Sequence, residues 1–351
     1  MKHPKFWSVA LLLAALIALL VTSVASAASK GGPVVSLSIM QSDFASDEDV
    51  LVTVTIFNPT RHSVRILKWF TPANGVEEAL FAVTRDGQKV GYIGPVYKRP
   101  PITGKDFITL KSGESLVQTV NLGDYYDLSV SGQYKIVYDV SSFNLYSEKG
   151  NAFKLKDNLR SEAVSAKVTG RKKPPPPPDP EPGESAFVSC TDAQQAILLD
   201  ARTQASTYAA NSEDYLLAGT TGLRYTTWFG VYDPGRYSTV TTNFTAISDA
   251  MDNAGVTFNC KCKQPYYAYV YPNDPYKIYL CKVFWQAPLA GTDSQAGTLI
   301  HEMSHFDVVA ATDDYVYGQT GAMDLAITNP DEAVHNADSH EYFAENTPYL
   351  P

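Results

Sequence analysis

The stretch Thr298–Gly318, TLIHEMSHFDVVAATDDYVYG, contains residues whose types and spacing could do chemistry. His301 and His305 are four apart, so on a helix both imidazoles face one side and could hold a single ion. Glu302 neighbours the first histidine and can reach a water at that ion without ligating it. Zinc held there would bring the water's pKa towards about 7. Glu302 would then take the water's proton and deliver it to a leaving amine. A catalytic zinc needs a third protein ligand. At about 100° per helical residue, Asp307 falls on the wrong face relative to His305. The third histidine of an H-E-x-x-H-x-x-G-x-x-H pattern is absent, because Val308 and Ala311 occupy the matching positions. Asp313, Asp314, Glu332 and Glu341 remain, and helix geometry leaves all four open.

The elements that must position these groups lie in the second of two unlike halves. The N-terminus carries Lys2 and Lys5, an apolar run from Phe6 to about Val21, and the small-residue site Ala25-Ser26-Ala27. This is the pattern of a secretory signal peptide spanning 1–27. Export would make disulfides of Cys190, Cys260, Cys262 and Cys281, all in the second half. Five consecutive prolines within 171–184 form a stiff linker. Before it, 28–170 reads as short strands: LVTVTIF (Leu51–Phe57), SLVQTVNL (Ser115–Leu122) and GQYKIVYDV (Gly132–Val140) alternate apolar and polar residues. An all-β, immunoglobulin-like sandwich is the expected fold of that half.

After the linker, 185–351 reads as α+β. A long helix is expected over Thr191–Leu217, with Thr191 or Asp192 as N-cap. A second is expected around Val240–Met251. A hairpin should run through Ala268–Cys281, followed by the motif helix. The residues from Ser185 onward include 19 Asp and Glu against 7 Lys and Arg, a net of −12; the chain total of −9 leaves +3 for the remainder. A basic segment tethered to an acidic one suggests that the halves associate. The acidic half has no basic patch, so nucleic acid is not an expected partner. Past the signal peptide no stretch is long and apolar enough to span a membrane.

HEMSH followed by ATDDYVYG resembles the deuterolysin family, the aspzincins, whose signature is H-E-x-x-H followed by G-T-x-D-x-x-Y-G. The resemblance places Thr312, Asp314, Tyr317 and Gly318 on that signature. It implies one zinc held by His301, His305 and Asp314, with Tyr317 hydrogen-bonding the developing oxyanion. Ala311 stands where the signature has glycine, a small change unless that backbone needs positive φ. RYTTWFG, FNCKC, AYVYPN, GTDSQAGTLIHE and NADSHEYFAEN extend the likeness to the peptidyl-Lys metalloendopeptidase branch, over essentially all of Ser185–Pro351. That branch implies the pairs Cys190–Cys260 and Cys262–Cys281.

In the same branch, the acids matching Asp338 and Glu341 line the pocket for a lysine after the scissile bond. Three apart on a helix, the two carboxylates share a face and suit one ammonium. The spacing also fits a capping box with Asp338 as N-cap. His335 and His340 read as outer-sphere or surface groups. Only Lys261, Lys263, Lys277 and Lys282 follow Ser185, as suits a lysine-directed protease.

The expectation is therefore an α+β, zincin-like metallopeptidase domain behind a β-rich prosegment that inhibits it or helps it fold. It would be secreted and would cut proteins or peptides before lysine. Self-cleavage at Lys172-Lys173 would free the catalytic domain. The rival readings are the same peptidase with broad specificity, and a non-catalytic secreted binding protein with a vestigial zinc site.

Overall fold

The computed structural model describes residues 32–143, 146–148, 156–170 and 181–351. The expected signal peptide and most of the linker, with Lys172-Lys173, lie outside the described residues. The fold mixes helices with several sheets, and the two compositional halves differ as their sequences do.

The described part of the first half consists of strands and single 3-10 turns. Leu51–Phe57 pairs antiparallel with both Val34–Ile39 and Ser115–Asn121. Its alternation is realised: Val52, Val54 and Ile56 are buried while Leu51 and Phe57 are exposed. Gly132–Phe143 runs through a second sheet between Phe81–Arg85 and Val164–Val168. Tyr134, Ile136, Tyr138 and Val140 point inward from it and join the same core. Ser115–Asn121 departs from its expected pattern. Val117 is 54% exposed and only Val120 is fully buried, because this strand lies at the edge of its sheet.

The second half is built on seven helices: α1 (Asp192–Leu217), α2 (Leu223–Phe229), α3 (Pro234–Asn253), α4 (Gln295–His305), α5 (Gly318–Thr328), α6 (Pro330–Ala333) and α7 (Ala337–Glu345). Helix α1 begins with a capping box between Thr191 and Gln194. Helix α3 starts earlier than its apolar periodicity suggests. Asp233 caps it by accepting from the Gly235 and Arg236 amides, and Pro234 supplies the preset φ of a first helical turn. The motif helix α4 is capped by Ser294 Oγ, which accepts from Gly297 N at 2.9 Å. It is buried along its whole length and packs on α1, α3 and α7.

The expected hairpin is present: Ala268–Val270 pairs antiparallel with Lys277–Leu280. It belongs to a mixed sheet ordered Ser185–Val188, Val256–Asn259, Lys277–Leu280, Ala268–Val270, Val96–Lys98. Disulfides Cys190–Cys260 and Cys262–Cys281 fasten the neighbouring loops. The last strand of the sheet comes from the first half. The halves are therefore joined by a shared sheet as well as by the linker, which a boundary drawn from composition does not show.

Arg202 connects α1 to the rest of this half. Its guanidinium donates to Met251 O at 3.0 Å, Ala254 O at 2.7 Å and Glu184 O at 3.1 Å. Two of these carbonyls close the C-terminal end of α3, where a cation is favoured. Arg202→Met should keep the side-chain volume but strand these acceptors, lowering unfolding free energy by about 2–4 kcal/mol. Chemical denaturation of the variant and parent measures this directly.

Candidate metal centre and lysine pocket

Helix α4 holds His301 and His305 with their ring centroids 4.8 Å apart. After His305 the chain reverses through Ala311, whose φ is +48°. This answers the question posed by its replacing glycine: the backbone there does enter the left-handed region. The reversal brings the Thr312 carbonyl 2.9 Å from His305 Nδ1, which donates to it. That bond leaves Nε2 as the free ligand atom. Thr312 Oγ1 also lies 2.6 Å from Ser304 Oγ, tying the loop back to α4.

The next turn carries Asp314. Asn336, the N-cap of α7, accepts through its side-chain oxygen from the amides of Tyr315 at 3.1 Å and Val316 at 3.2 Å. The Asp313 amide donates to His335 O at 2.8 Å. So fixed, Asp314 Oδ1 sits 3.2 Å from His301 Nε2 and 3.6 Å from His305 Nε2. Atoms about 2.0–2.1 Å from a tetrahedral zinc lie about 3.4 Å from each other, so these three could hold one. All three atoms are buried without a hydrogen-bond partner in the protein, as are both oxygens of Glu302. Such orphaned polar atoms are costly unless an ion or water meets them. Burial pushes His305 down to about 4, the neutral form a metal requires. Burial also pushes Glu302 up to about 8, with His301 opposing the shift.

The other face of His301 looks into a cluster of carboxylates. Its Nδ1 lies 2.9 Å from Asp338 Oδ1 and 3.3 Å from Glu341 Oε2. Asp338 Oδ2 accepts from Gly318 N at 2.6 Å. The ammonium of Lys98, from the first half, lies 2.5 Å from Glu341 Oε2, 3.7 Å from Asp293 Oδ1 and 3.8 Å from Asp338 Oδ1. It also stands 4.8 Å from the centre of the Tyr267 ring. Lys98 is 1% exposed. Burial alone would discharge it, but Glu341, Asp338 and Asp293 outweigh that and hold its pKa well above the usual lysine value. His301, Asp338 and Glu341 could also be grouped as a metal set. The Lys98 ammonium and the His301 ring already occupy the space between them, so the Nε2 side is the better metal site.

Close approach of α7 to α4 makes this cluster possible. A Cβ at Gly297, one turn before His301, would lie 2.1 Å from Glu345 Oε1 and 3.0 Å from Glu341 Oε1. Glu345 in turn accepts from Ser294 N at 2.8 Å and Asp293 N at 3.1 Å. It thereby holds the loop that presents Asp293.

Tyr317 lies between the two regions. Its hydroxyl is 3.1 Å from Asp314 Oδ2 and 3.3 Å from Tyr97 O, and it accepts from Arg99 Nη1.

Of the remaining candidates, Asp307 and Asp313 are exposed. Glu341 faces the Nδ1 side of His301 and so does not complete the ligand set. Helix α7 begins at Ala337 with Asn336 as N-cap, so the capping-box reading of Asp338 is corrected: both acids are inside the helix. His340 is a buried core residue, with Nδ1 donating to Asn336 O at 2.9 Å, and His335 is exposed. Asp293, Glu345 and Lys98 escaped sequence reasoning. Asp293 lies within the matched stretch GTDSQAGTLIHE, which was the available signal for it.

The chain is similar to several known proteins. A family described as "Lysine-specific metallo-endopeptidase" matches residues 216–345. An "Extracellular protease" from Aeromonas hydrophila is 46% identical over 315 residues, covering 86% of this chain and 90% of that protein. A "Peptidyl-Lys metalloendopeptidase" from Armillaria mellea is 35% identical over 333 residues, covering 92% and 94%. A solved zinc peptidase from Grifola frondosa is 46% identical, covering 46% of this chain and 100% of that one, with a TM-score of 0.45. The protein is of the zinc metalloendopeptidase class. Within that class, the chain belongs to the aspzincin, or deuterolysin, family.

Two outcomes follow from the site's geometry. Asp338→Asn should weaken zinc binding about 10–100-fold, because the group that orients His301 loses its charge; competition with a coloured chelator measures it. Ala311→Gly should raise unfolding free energy by about 0.5–1 kcal/mol, since relief of the left-handed strain exceeds the added chain entropy.

Proposed function

We propose that the protein is a secreted zinc endopeptidase, made as a proenzyme, that hydrolyses peptide bonds on the N-terminal side of lysine. The observation that carries this reading is Lys98, a lysine seated among Asp293, Asp338 and Glu341 directly behind His301. One ammonium against three carboxylates favours a cation and disfavours apolar side chains. A cluster whose Asp338 and Glu341 are fully buried suits a compact ammonium on a flexible stem better than a planar guanidinium.

His301, His305 and Asp314 would hold the metal through Nε2, Nε2 and Oδ1. Zinc, when bound, supplies a Lewis acid that polarises a carbonyl and acidifies water. Glu302 acts as general base, taking the proton of the attacking water and passing it to the leaving amine. Tyr317 donates to the oxygen on which negative charge develops. Asp338 orients His301 and contributes charge to the pocket, while Glu341 and Asp293 bind the lysine.

The β-rich residues 28–170 are read as a prosegment with an immunoglobulin-like sandwich fold. The segment 1–27 is read as the signal peptide, and 171–184 as the linker to the catalytic half 185–351. Among the described residues no helix is long and apolar enough to cross a membrane. Two disulfides and the extracellular description of the Aeromonas relative support export.

Digestion of a denatured proteome followed by sequencing of new N-termini tests specificity. Lysine should dominate the first position; a broad distribution there would leave a deuterolysin-like peptidase without lysine preference. Glu302→Gln should retain stoichiometric zinc by elemental analysis while kcat falls at least about 10²–10⁴-fold. Zinc retention with undiminished turnover would remove Glu302 as the base.

A further inference from the structure

We propose that Glu345 and Tyr342 are positioning residues for lysine recognition, clamping Asp293 at the mouth of the acid cluster behind His301. The proposal rests on the lysine-directed reading above and deepens it by naming what holds the one recognition carboxylate that α7 does not carry.

Helix α7 sets the geometry. Asp338, Glu341, Tyr342 and Glu345 fall at i, i+3, i+4 and i+7, so they form one stripe along the helix. Asp338 and Glu341 face the Lys98 ammonium. Glu345, a turn further on, directs its oxygens to the loop 288–294 instead. Its Oε1 accepts from Ser294 N at 2.8 Å and Ser294 Oγ at 2.7 Å, and its Oε2 from Asp293 N at 3.1 Å. The Tyr342 hydroxyl donates to Asp293 Oδ1 at 2.7 Å. The backbone and the carboxylate of Asp293 are thus held separately, by two side chains of one stripe. Just beyond the helix, Thr347 O accepts from Thr292 Oγ1 at 3.2 Å.

Asp293 needs such a hold. Its φ is +52°, in the left-handed region that residues other than glycine enter at a cost. A strained residue of this kind persists where its surroundings over-determine it. Of the three carboxylates near the ammonium, the Asp338 and Glu341 side chains are 1% and 0% exposed, whereas that of Asp293 is 26% exposed. Asp293 is therefore the acid that an incoming cation meets first. At 3.7 Å from the Lys98 nitrogen it acts through charge rather than through a hydrogen bond. The strength of that attraction depends on where the loop stands, so whatever moves the loop alters recognition.

The clamp also accounts for two buried polar groups that the catalytic steps do not use. Glu345 and Tyr342 are 4% and 1% exposed. A carboxylate at such depth is costly without donors, and the donors Glu345 has are on the loop. Ser294 Oγ, which donates to Glu345, accepts from Gly297 N in turn. The same carboxylate therefore steadies the first turn of α4. That second arm acts on every substrate alike, whereas the Asp293 arm acts on charged side chains alone.

The test separates the two arms. The zinc-loaded full chain is assayed on two peptides of small residues that differ only in having lysine or norleucine after the scissile bond. Mass spectrometry follows both in one mixture, so the ratio of their kcat/KM values does not depend on the active fraction. Asp293→Asn keeps an acceptor for Tyr342 and suits a left-handed backbone. It should lower the lysine-to-norleucine ratio about tenfold, through loss of one partly screened charge. Glu345→Gln should lower the ratio about as much, and add little in the Asp293→Asn background, because it acts through Asp293. Tyr342→Phe removes only a hydroxyl and should fold if the glutamine variant does not. It should lower the ratio about threefold. An unchanged ratio in Asp293→Asn, or in either folded clamp variant, would overturn the proposal and leave the pocket of Asp338 and Glu341 standing. So would a Glu345→Gln loss that falls on both peptides alike, or that adds in full to Asp293→Asn. Equal cleavage of the two peptides by the parent would remove the lysine-directed reading, and the clamp with it.

Discussion

The His301 ring is shared by two assemblies that would otherwise be independent. Nε2 faces Asp314 and the metal position, while Nδ1 faces Asp338 and Glu341, the acids around the Lys98 ammonium. A carboxylate behind a ligating histidine fixes its tautomer and raises its basicity. Here the same carboxylate also lies 3.8 Å from the Lys98 ammonium. The candidate metal position and the buried ammonium thus share one imidazole, and a change at one should be felt at the other.

This arrangement needs α7 to lie unusually close to α4. Gly297 permits the approach, and Asn336, at the N-cap position of α7, receives the Tyr315 and Val316 amides that follow Asp314. One helix start therefore positions a candidate metal ligand on one side and the two acids beside Lys98 on the other. The many buried carboxylates are tolerable only with cations among them, because each unpaired charge in a dry site is costly. In the full chain Lys98 supplies one such cation. The complementarity suggested by the opposite net charges of the halves is thus expressed at a single buried lysine.

The first half contributes more to the site than its composition suggests. Its strands form a core with no metal-ligating cluster among the described residues, yet Val96–Arg99 reaches Glu341 and Tyr317 beside the candidate metal centre. Glu78, Arg99 and Trp69 brace that segment from within the same half. Burial pushes Glu78 up to about 8, with Arg99 opposing the shift. Pairing with Arg99 is what makes such a carboxylate acceptable inside the interface.

Local chemistry was legible in the sequence because it depends on short spacings. The i, i+4 histidines, the N-cap at Thr191 or Asp192, the alternation in Leu51–Phe57 and the hairpin at Ala268–Cys281 each follow from a period or a turn within a few residues. The family signature then singled out Asp314, which helix geometry alone could not separate from Asp313, Glu332 and Glu341. Tertiary structure decided the rest. Asp293 and Lys98 are 195 positions apart in the chain and meet only because a strand of one half completes the sheet of the other. Ala311 needs a left-handed backbone only because the chain must reverse there to bring Asp314 over the histidines. No spacing in a sequence encodes such encounters, since they depend on which sheet edge is left open and which side chain reaches across it.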